Sequence, residues 1–132
     1  MIYLNTDGGS RGNPGPAGIG LIIRDSEKCL KEYKEYIGSA TNNIAEYKAL
    51  IKGLEIVYGF TKERVQVFMD SELIVRQLNG IYQVRNKNLI PLFKTVKELE
   101  KNFLEVKYKH VRREDKFQQE ADRLVNEALD EA

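Results

Sequence analysis

Three strand-like runs stand at the head of this 132-residue chain before any helical periodicity begins. That order limits the possible folds more than any other feature. Residues 2–6 alternate toward Asp7, and "IGLIIRD" (19–25) and "CLKEYKEYIG" (29–38) follow after short turn-rich links. Three such runs in succession predict an antiparallel meander. The pattern then changes. "SATNNIAEYKALIKGLEIVYGF" is helical, with Asn42 or Asn43 as N-cap, Glu46 completing a capping box, and an end near Gly59. "RVQVFMD" (64–70) is a fourth strand with Val65, Val67 and Met69 on one face. "SELIVRQLNG" is a short helix capped by Asp70 or Ser71 and stopped at Gly80, and "NLIPLFKTVKELEKNF" is another with Pro91 in its first turn. "LEVKYKHV" (104–111) is a fifth strand, and "FQQEADRLVNEALDEA" closes the chain as a helix with Phe117, Ala121, Leu124, Val125 and Ala128 on one side. Strands that alternate with helices call for parallel crossovers. The expected fold is α/β: a mixed five-stranded sheet, three antiparallel strands then parallel crossovers, with helices on both faces, in one domain over residues 1–132.

The link between the first two strands, "NTDGGSRGNPGPAGIG", admits three readings: a hairpin turn, a phosphate-cradling loop, or a corner of a metal site. The phosphate readings fail in detail. A P-loop needs a Lys followed by Ser or Thr, and none follows; the dinucleotide fingerprint needs a third glycine where Ile23 stands. The stretch also leads into the strand "GLII" rather than a helix. A hairpin and a metal corner are compatible with each other.

Four acids stand where solubility does not need them. Asp7 follows the first strand and Asp70 the fourth, so parallel neighbours would bring both to one sheet edge, where ligand sites of open α/β sheets gather. Glu46 lies on the apolar stripe of its own helix, with Ala49, Leu50, Gly53, Leu54 and Val57 at offsets of 3, 4, 7, 8 and 11. A buried carboxylate needs a partner. Asp122 borders the apolar face of the last helix. Each acid alone has an ordinary explanation: a turn for Asp7, a capping box for Glu46, a cap for Asp70, a solvated edge for Asp122. One explanation covers all four, hard oxygen ligands converging on Mg²⁺ or Mn²⁺. Carboxylate-rich sites suit two divalent ions roughly 3.5–4 Å apart acting on a phosphodiester, which requires no Ser or Cys nucleophile.

These residues resemble the motifs of type 1 ribonuclease H. "TDGGSRGNPGPAGIG" is similar to that family's first-strand motif, "TNNIAEYKAL" to its T-N-N-x-x-E motif, "MDSELIVRQLNG" to its D-S motif and "QQEADRLVNEA" to its closing A-D-x-L-A motif. The four occur in order over nearly the whole chain. The resemblance implies an endonuclease that cuts the RNA strand of RNA-DNA hybrids, giving 5′-phosphate and 3′-hydroxyl ends. It implies metal-binding acids at Asp7, Glu46, Asp70 and Asp122, with Gly8 beside them, and two Mg²⁺ or Mn²⁺ ions as cofactors. It also implies substrate contacts from Gly9, Ser10, Arg11 and Asn13 to RNA, from Asn42 and Asn43 to the minor groove, and from Thr41 and Asn86 to a DNA-strand phosphate. A hybrid presents a wide, shallow minor groove with 2′-hydroxyls on one strand, which amides and backbone groups can sense. Glu72 stands where the family often has an RNA-touching Gln, and Gln118 where it has Asn. The loop His that bacterial members carry after the fifth strand has no match, since the only His is His110 at that strand. "NGIYQVRNKNL" is too short for the basic protrusion of some members.

The net charge of +1 gives no general basic excess, but "EVKYKHVRRED" concentrates Lys107, Lys109, Arg112 and Arg113, either a phosphate-facing rim or a solvated surface. A single cysteine, Cys29, and a start without a basic-then-apolar leader suggest a reducing cytoplasm. No apolar run reaches the roughly 18 residues of a membrane span. The expected partner is an RNA-DNA hybrid, with double-stranded RNA as a further candidate, and a monomer is expected. A non-catalytic RNA- or hybrid-binding module on the same fold is the competing reading.

Overall fold

The computed structural model describes residues 1–132. Nine elements follow in the order β1 (Ile2–Ser10), β2 (Gly15–Arg24), β3 (Cys29–Ala40), α1 (Asn42–Val57), β4 (Arg64–Met69), α2 (Glu72–Leu78), α3 (Ile90–Glu100), β5 (Glu105–His110) and α4 (Lys116–Asp130). The sheet order is β3-β2-β1-β4-β5. β1–β2 and β2–β3 are antiparallel, while β1–β4 and β4–β5 are parallel. The meander forms one half of the sheet and the crossovers the other, as the element order predicts.

Side-chain alternation along β1 assigns the two faces. Leu4 and Thr6 lie against Gly53 of α1, whereas Asn5 bonds Gln118 and Gly9 faces Val125, both on α4. The main apolar core lies on the α1 side, where Leu4, Leu21, Leu50, Leu54, Val67 and Met69 are buried. α4 crosses the opposite face over β1, β2 and β3. Its approach requires a missing side chain: a Cβ on Gly20 would come within 2.4 Å of the Ala121 carbonyl oxygen.

Several boundaries differ from the sequence expectation. β1 runs through Asp7 to Ser10, because β2 continues to pair with it from Gly20 to Ala17. Asp7 is therefore a strand residue and not a turn acid. The first helix is capped by Thr41, whose hydroxyl accepts the Ile44 N–H at 3.2 Å. Asn42 and Asn43 are thereby its first two residues, and Glu46 closes no capping box. Ser71, not Asp70, caps α2.

Candidate active site

Register brings the first two acids level. Asn5 pairs with Phe68, the last β1–β4 pair, and Asp7 and Asp70 each stand two residues farther along. β4 has ended there, so Asp7 looks out beyond the sheet edge while remaining in its own strand. Glu46 arrives from α1, which presses onto Gly8 so closely that a Cβ there would lie 2.3 Å from the Ala45 carbonyl. The Gly8 N–H donates to the Glu46 carboxylate at 2.5 Å. Carboxylate oxygens of Asp7, Glu46 and Asp70 all lie within 4.8 Å of one another.

Asp122 comes from α4 and lines the same cleft, close enough to Asp7 and Asp70 to push both carboxyls up. Buried contacts place its helix. Asp115 caps α4 by accepting the Phe117 and Gln118 N–H groups. Gln118, fully buried, accepts from the Asn5 amide at 3.2 Å and donates to the Thr6 carbonyl at 2.8 Å. Phe117 packs its ring 3.8 Å from the Arg24 guanidinium. One turn after Gln118 the helix presents Asp122, and Asn126 donates to its carboxylate at 3.4 Å.

Three acids at this separation repel one another. The Asp7 carboxyl is driven well above the usual carboxylate range, first by burial and then by Glu46 and Asp70. Glu46 is also raised, by burial and by Asp70, against the favourable Gly8 N–H. Burial raises Asp70 too, opposed first by the positive charge of Arg113. Protonation relieves part of this cost, and a divalent cation would relieve more of it. The donors are all hard carboxylate oxygens, which fit Mg²⁺ or Mn²⁺ rather than a softer ion.

The cleft above the trio encloses about 380 Å³ and is bounded by Gly8, Gly9, Ser10, Arg11, Asn42 and Asn43 on one side and by α4 on the other. The Ser10 N–H donates to the Asn42 side-chain oxygen at 2.8 Å, tying the hairpin to the start of α1. Arg11 meets Asp130 of α4 at 2.7 Å. Asn13 does not face this cleft: it accepts the Asn42 N–H at 3.1 Å and joins Thr41, Asn42, Asn43, Asn86 and Asn88 around a second hollow of about 330 Å³. Glu72 lies outside both hollows and is ion-paired with Arg76 at 2.6 Å. His110 is the last residue of β5, exposed and level with Met69. Arg113, one of the two rim-or-surface arginines of "EVKYKHVRRED", lines the cleft, and so does Asn126, which the motifs do not mark. The spacing of Asn126, four residues after Asp122 on a helix, was the available signal for it.

The chain matches the reverse transcriptase-like family over residues 5–128. It is 41% identical over 133 residues to the bifunctional protein Rv2228c of Mycobacterium tuberculosis, covering 99% of this chain but 36% of that protein. The chain thus spans about a third of that relative's length. It is 35% identical over 111 residues to ribonuclease HI of Helicobacter pylori, covering 83% of this chain and 73% of the relative. The fold superposes on LC11-RNase H1, solved in complex with an RNA/DNA hybrid, with a TM-score of 0.94 and 44% identity, covering 99% and 98% of the two chains. With four acids directed to one cleft on this sheet and these relatives, the chain belongs to the reverse transcriptase-like family and, among its members, to ribonuclease HI.

Proposed function

We propose that this protein is an endonuclease that hydrolyses the RNA strand of RNA-DNA hybrids, leaving 5′-phosphate and 3′-hydroxyl ends. The observation that carries this reading is the trio of buried Asp7 and Glu46 and half-buried Asp70, with Asp122 on the facing helix, at the floor of an open cleft whose rim includes the amides of Asn42 and Asn43. The LC11-RNase H1 complex with a hybrid supports the substrate class.

In this reading the four acids, with Gly8 beside them, hold Mg²⁺ or Mn²⁺, two ions during turnover. Bound there, such ions supply an activated water and stabilise charge on the leaving oxygen. The chain's own groups position the substrate. Gly9, Ser10 and Arg11 meet the RNA strand, and the amides of Asn42 and Asn43 sense the minor-groove edge where 2′-hydroxyls distinguish RNA. Asn42 reaches it preset, its side-chain oxygen held by Ser10 and its N–H by Asn13. Thr41 and Asn86, with Asn13 and Asn88 around the same hollow, receive a DNA-strand phosphate. Arg113 faces the phosphate undergoing cleavage. One chain carries all four acids, so a monomer over residues 1–132 suffices as a catalytic unit. The lone, exposed Cys29 suits a reducing compartment, and we assign the activity to the cytoplasm.

Cleavage of labelled hybrid, double-stranded RNA and duplex DNA, each with and without Mg²⁺ or Mn²⁺, tests the assignment. Metal-dependent scission confined to the RNA of the hybrid is expected, and cutting of double-stranded RNA would widen the substrate class. Binding without scission on every substrate would instead make the protein a non-catalytic hybrid-binding module.

A further inference from the structure

Half of one sheet face carries no helix. α4 packs over β1, β2 and β3. The β4–β5 half beyond it remains accessible: Gln66 and Phe68 on β4 are half-buried, and Lys107 and Lys109 on β5 are exposed. Register makes these residues neighbours, since Gln66 is level with Lys107 and Phe68 with Lys109. The opposite side of the same strands is core, with Val65, Val67, Met69 and Tyr108 buried.

The open face has a definite chemistry. Its inner row is aromatic and cationic: Tyr3 and Phe68 have ring centroids 6.2 Å apart, and the one Arg24 guanidinium lies over both, 4.8 Å from the Tyr3 ring and 5.7 Å from the Phe68 ring. Its outer row is basic. Lys107 and Lys109 sit two residues apart on an edge strand, about 6.6 Å by the rise of a strand, and Lys116 at the start of α4 lies 5.6 Å from the Phe117 ring that packs on Arg24. None of the three lysines forms an ion pair, while the Arg64–Glu105 pair neutralises the far end of the strands. In a chain whose net charge is only +1, this is a local positive excess. The face also leads to the cleft, because Gln66 and Phe68 share one face of β4 and Asp70, which lines the cleft, follows directly after that strand.

We propose that the open β4–β5 face is a binding track for single-stranded nucleic acid, outside the catalytic cleft. Lys107 and Lys109 lie in one row along the edge strand, which matches one phosphate backbone rather than the two of a duplex. Aromatic side chains beside such a line are what a strand with unpaired bases uses, because every base has a ring face to place against them. Phosphates along Lys107 and Lys109 displace counterions and make the interaction salt-dependent. A single-stranded extension of a hybrid seated in the cleft would continue onto this face past Asp70. The track is a binding surface and does not need cleavage to operate.

Fluorescence anisotropy in metal-free buffer tests it, with a mixed-sequence single-stranded oligonucleotide and a short blunt hybrid as probes. Lys107→Gln/Lys109→Gln should weaken single-strand binding about tenfold at low salt. It should also make the slope of log affinity against log salt shallower by about 1.4, because each single-strand phosphate that a lysine neutralises contributes about 0.7. The weakening on the blunt hybrid should be at least threefold smaller. Lys31→Gln/Lys48→Gln removes the same charge from exposed positions on β3 and α1 and should have little effect on the single strand. Unchanged single-strand affinity, an equal weakening on the blunt hybrid, or an equal weakening in the Lys31/Lys48 variant would overturn the proposal. Failure of the protein to cleave any substrate would overturn the nuclease reading and leave these binding results to stand or fall by themselves.

Discussion

The Glu46 carboxylate, on the inward face of α1, accepts the backbone N–H of Gly8 near the end of β1 at 2.5 Å. This bond joins two motifs separated by 38 residues and sets how far the acid reaches toward Asp7 and Asp70. It exists because Gly8 has no side chain. Gly8→Ala would place a carbon 2.3 Å from the Ala45 carbonyl, and backbone cannot swing aside as a flexible side chain can. The expected cost is about 1–3 kcal/mol, the scale of overpacking a core. Thermal unfolding and hybrid cleavage should both suffer, and a variant with unchanged melting temperature and activity would contradict the close approach.

Asp7→Asn should separate catalysis from stability. Cleavage in Mg²⁺ is expected to fall by at least about 10²–10³-fold, the scale of removing one charge-stabilising group, while hybrid binding is largely kept. In metal-free buffer the same substitution should stabilise the fold at neutral pH by roughly 0.5–2 kcal/mol, the scale of a stabilising substitution, because it removes a carboxyl that burial and Glu46 disfavour in its charged form.

The pH dependence follows in sign. The folded protein holds Asp7 and Glu46 protonated at pH values where the unfolded chain has released those protons. Folded-state proton binding stabilises below the unfolded carboxylate pKa of about 4 and is progressively lost as pH rises through the raised folded values. The melting-temperature advantage of Asp7→Asn over the parent, measured in chelator, should therefore grow from pH 5 to pH 8. Added Mg²⁺ or Mn²⁺ should raise the parent's melting temperature more than the variant's. An advantage that is flat with pH would remove the burial argument.

Gln118→Leu tests the anchoring of α4. It deletes the acceptor for the Asn5 amide and the donor to the Thr6 carbonyl, leaving buried polar groups without partners. Each such group costs about 1–3 kcal/mol. A lower melting temperature is expected. Because the helix one turn later carries Asp122, kcat should also drop more than KM rises. A change in KM alone would mean that the bond does not govern the placement of Asp122.

Arg113→Ala should lower kcat/KM on hybrid by about 10–100-fold, the value of a charge-assisted hydrogen bond of about 1.5–3 kcal/mol. Arg113→Lys should recover part of that activity, since it keeps the charge but not the planar fork. Steady-state kinetics at fixed ionic strength decides this, and an activity equal to the parent's would exclude Arg113 from the reaction.

Local patterns were legible in the sequence to different depths. Alternation in Val65, Val67 and Met69 located β4, and the apolar spacing around Glu46 marked that acid as inward-facing. The cap of α1 was not legible, because Thr41, Asn42 and Asn43 are all competent caps and only the chain's path selects among them. Nor was the end of β1: glycines after Asp7 read as a turn, whereas pairing with β2 keeps them in the sheet. The "EVKYKHVRRED" cluster could not be divided by inspection. Its lysines Lys107 and Lys109 lie on the open sheet face, and Arg113, beyond the strand's end, lines the cleft.

By itself the sequence determined the order of strands and helices and the four acids that demanded a common explanation. Both depend on local periodicity and on residue chemistry, which a linear chain displays. Only the tertiary structure decided which acids converge closely, that Asp122 joins them from a separate helix, that Asn13 braces Asn42 from outside the main cleft, and that Glu72 is engaged by Arg76. Those outcomes depend on strand register and on how near α1 and α4 approach the sheet at Gly8 and Gly20. They are distances between residues remote in sequence, which packing sets and local spacing does not record.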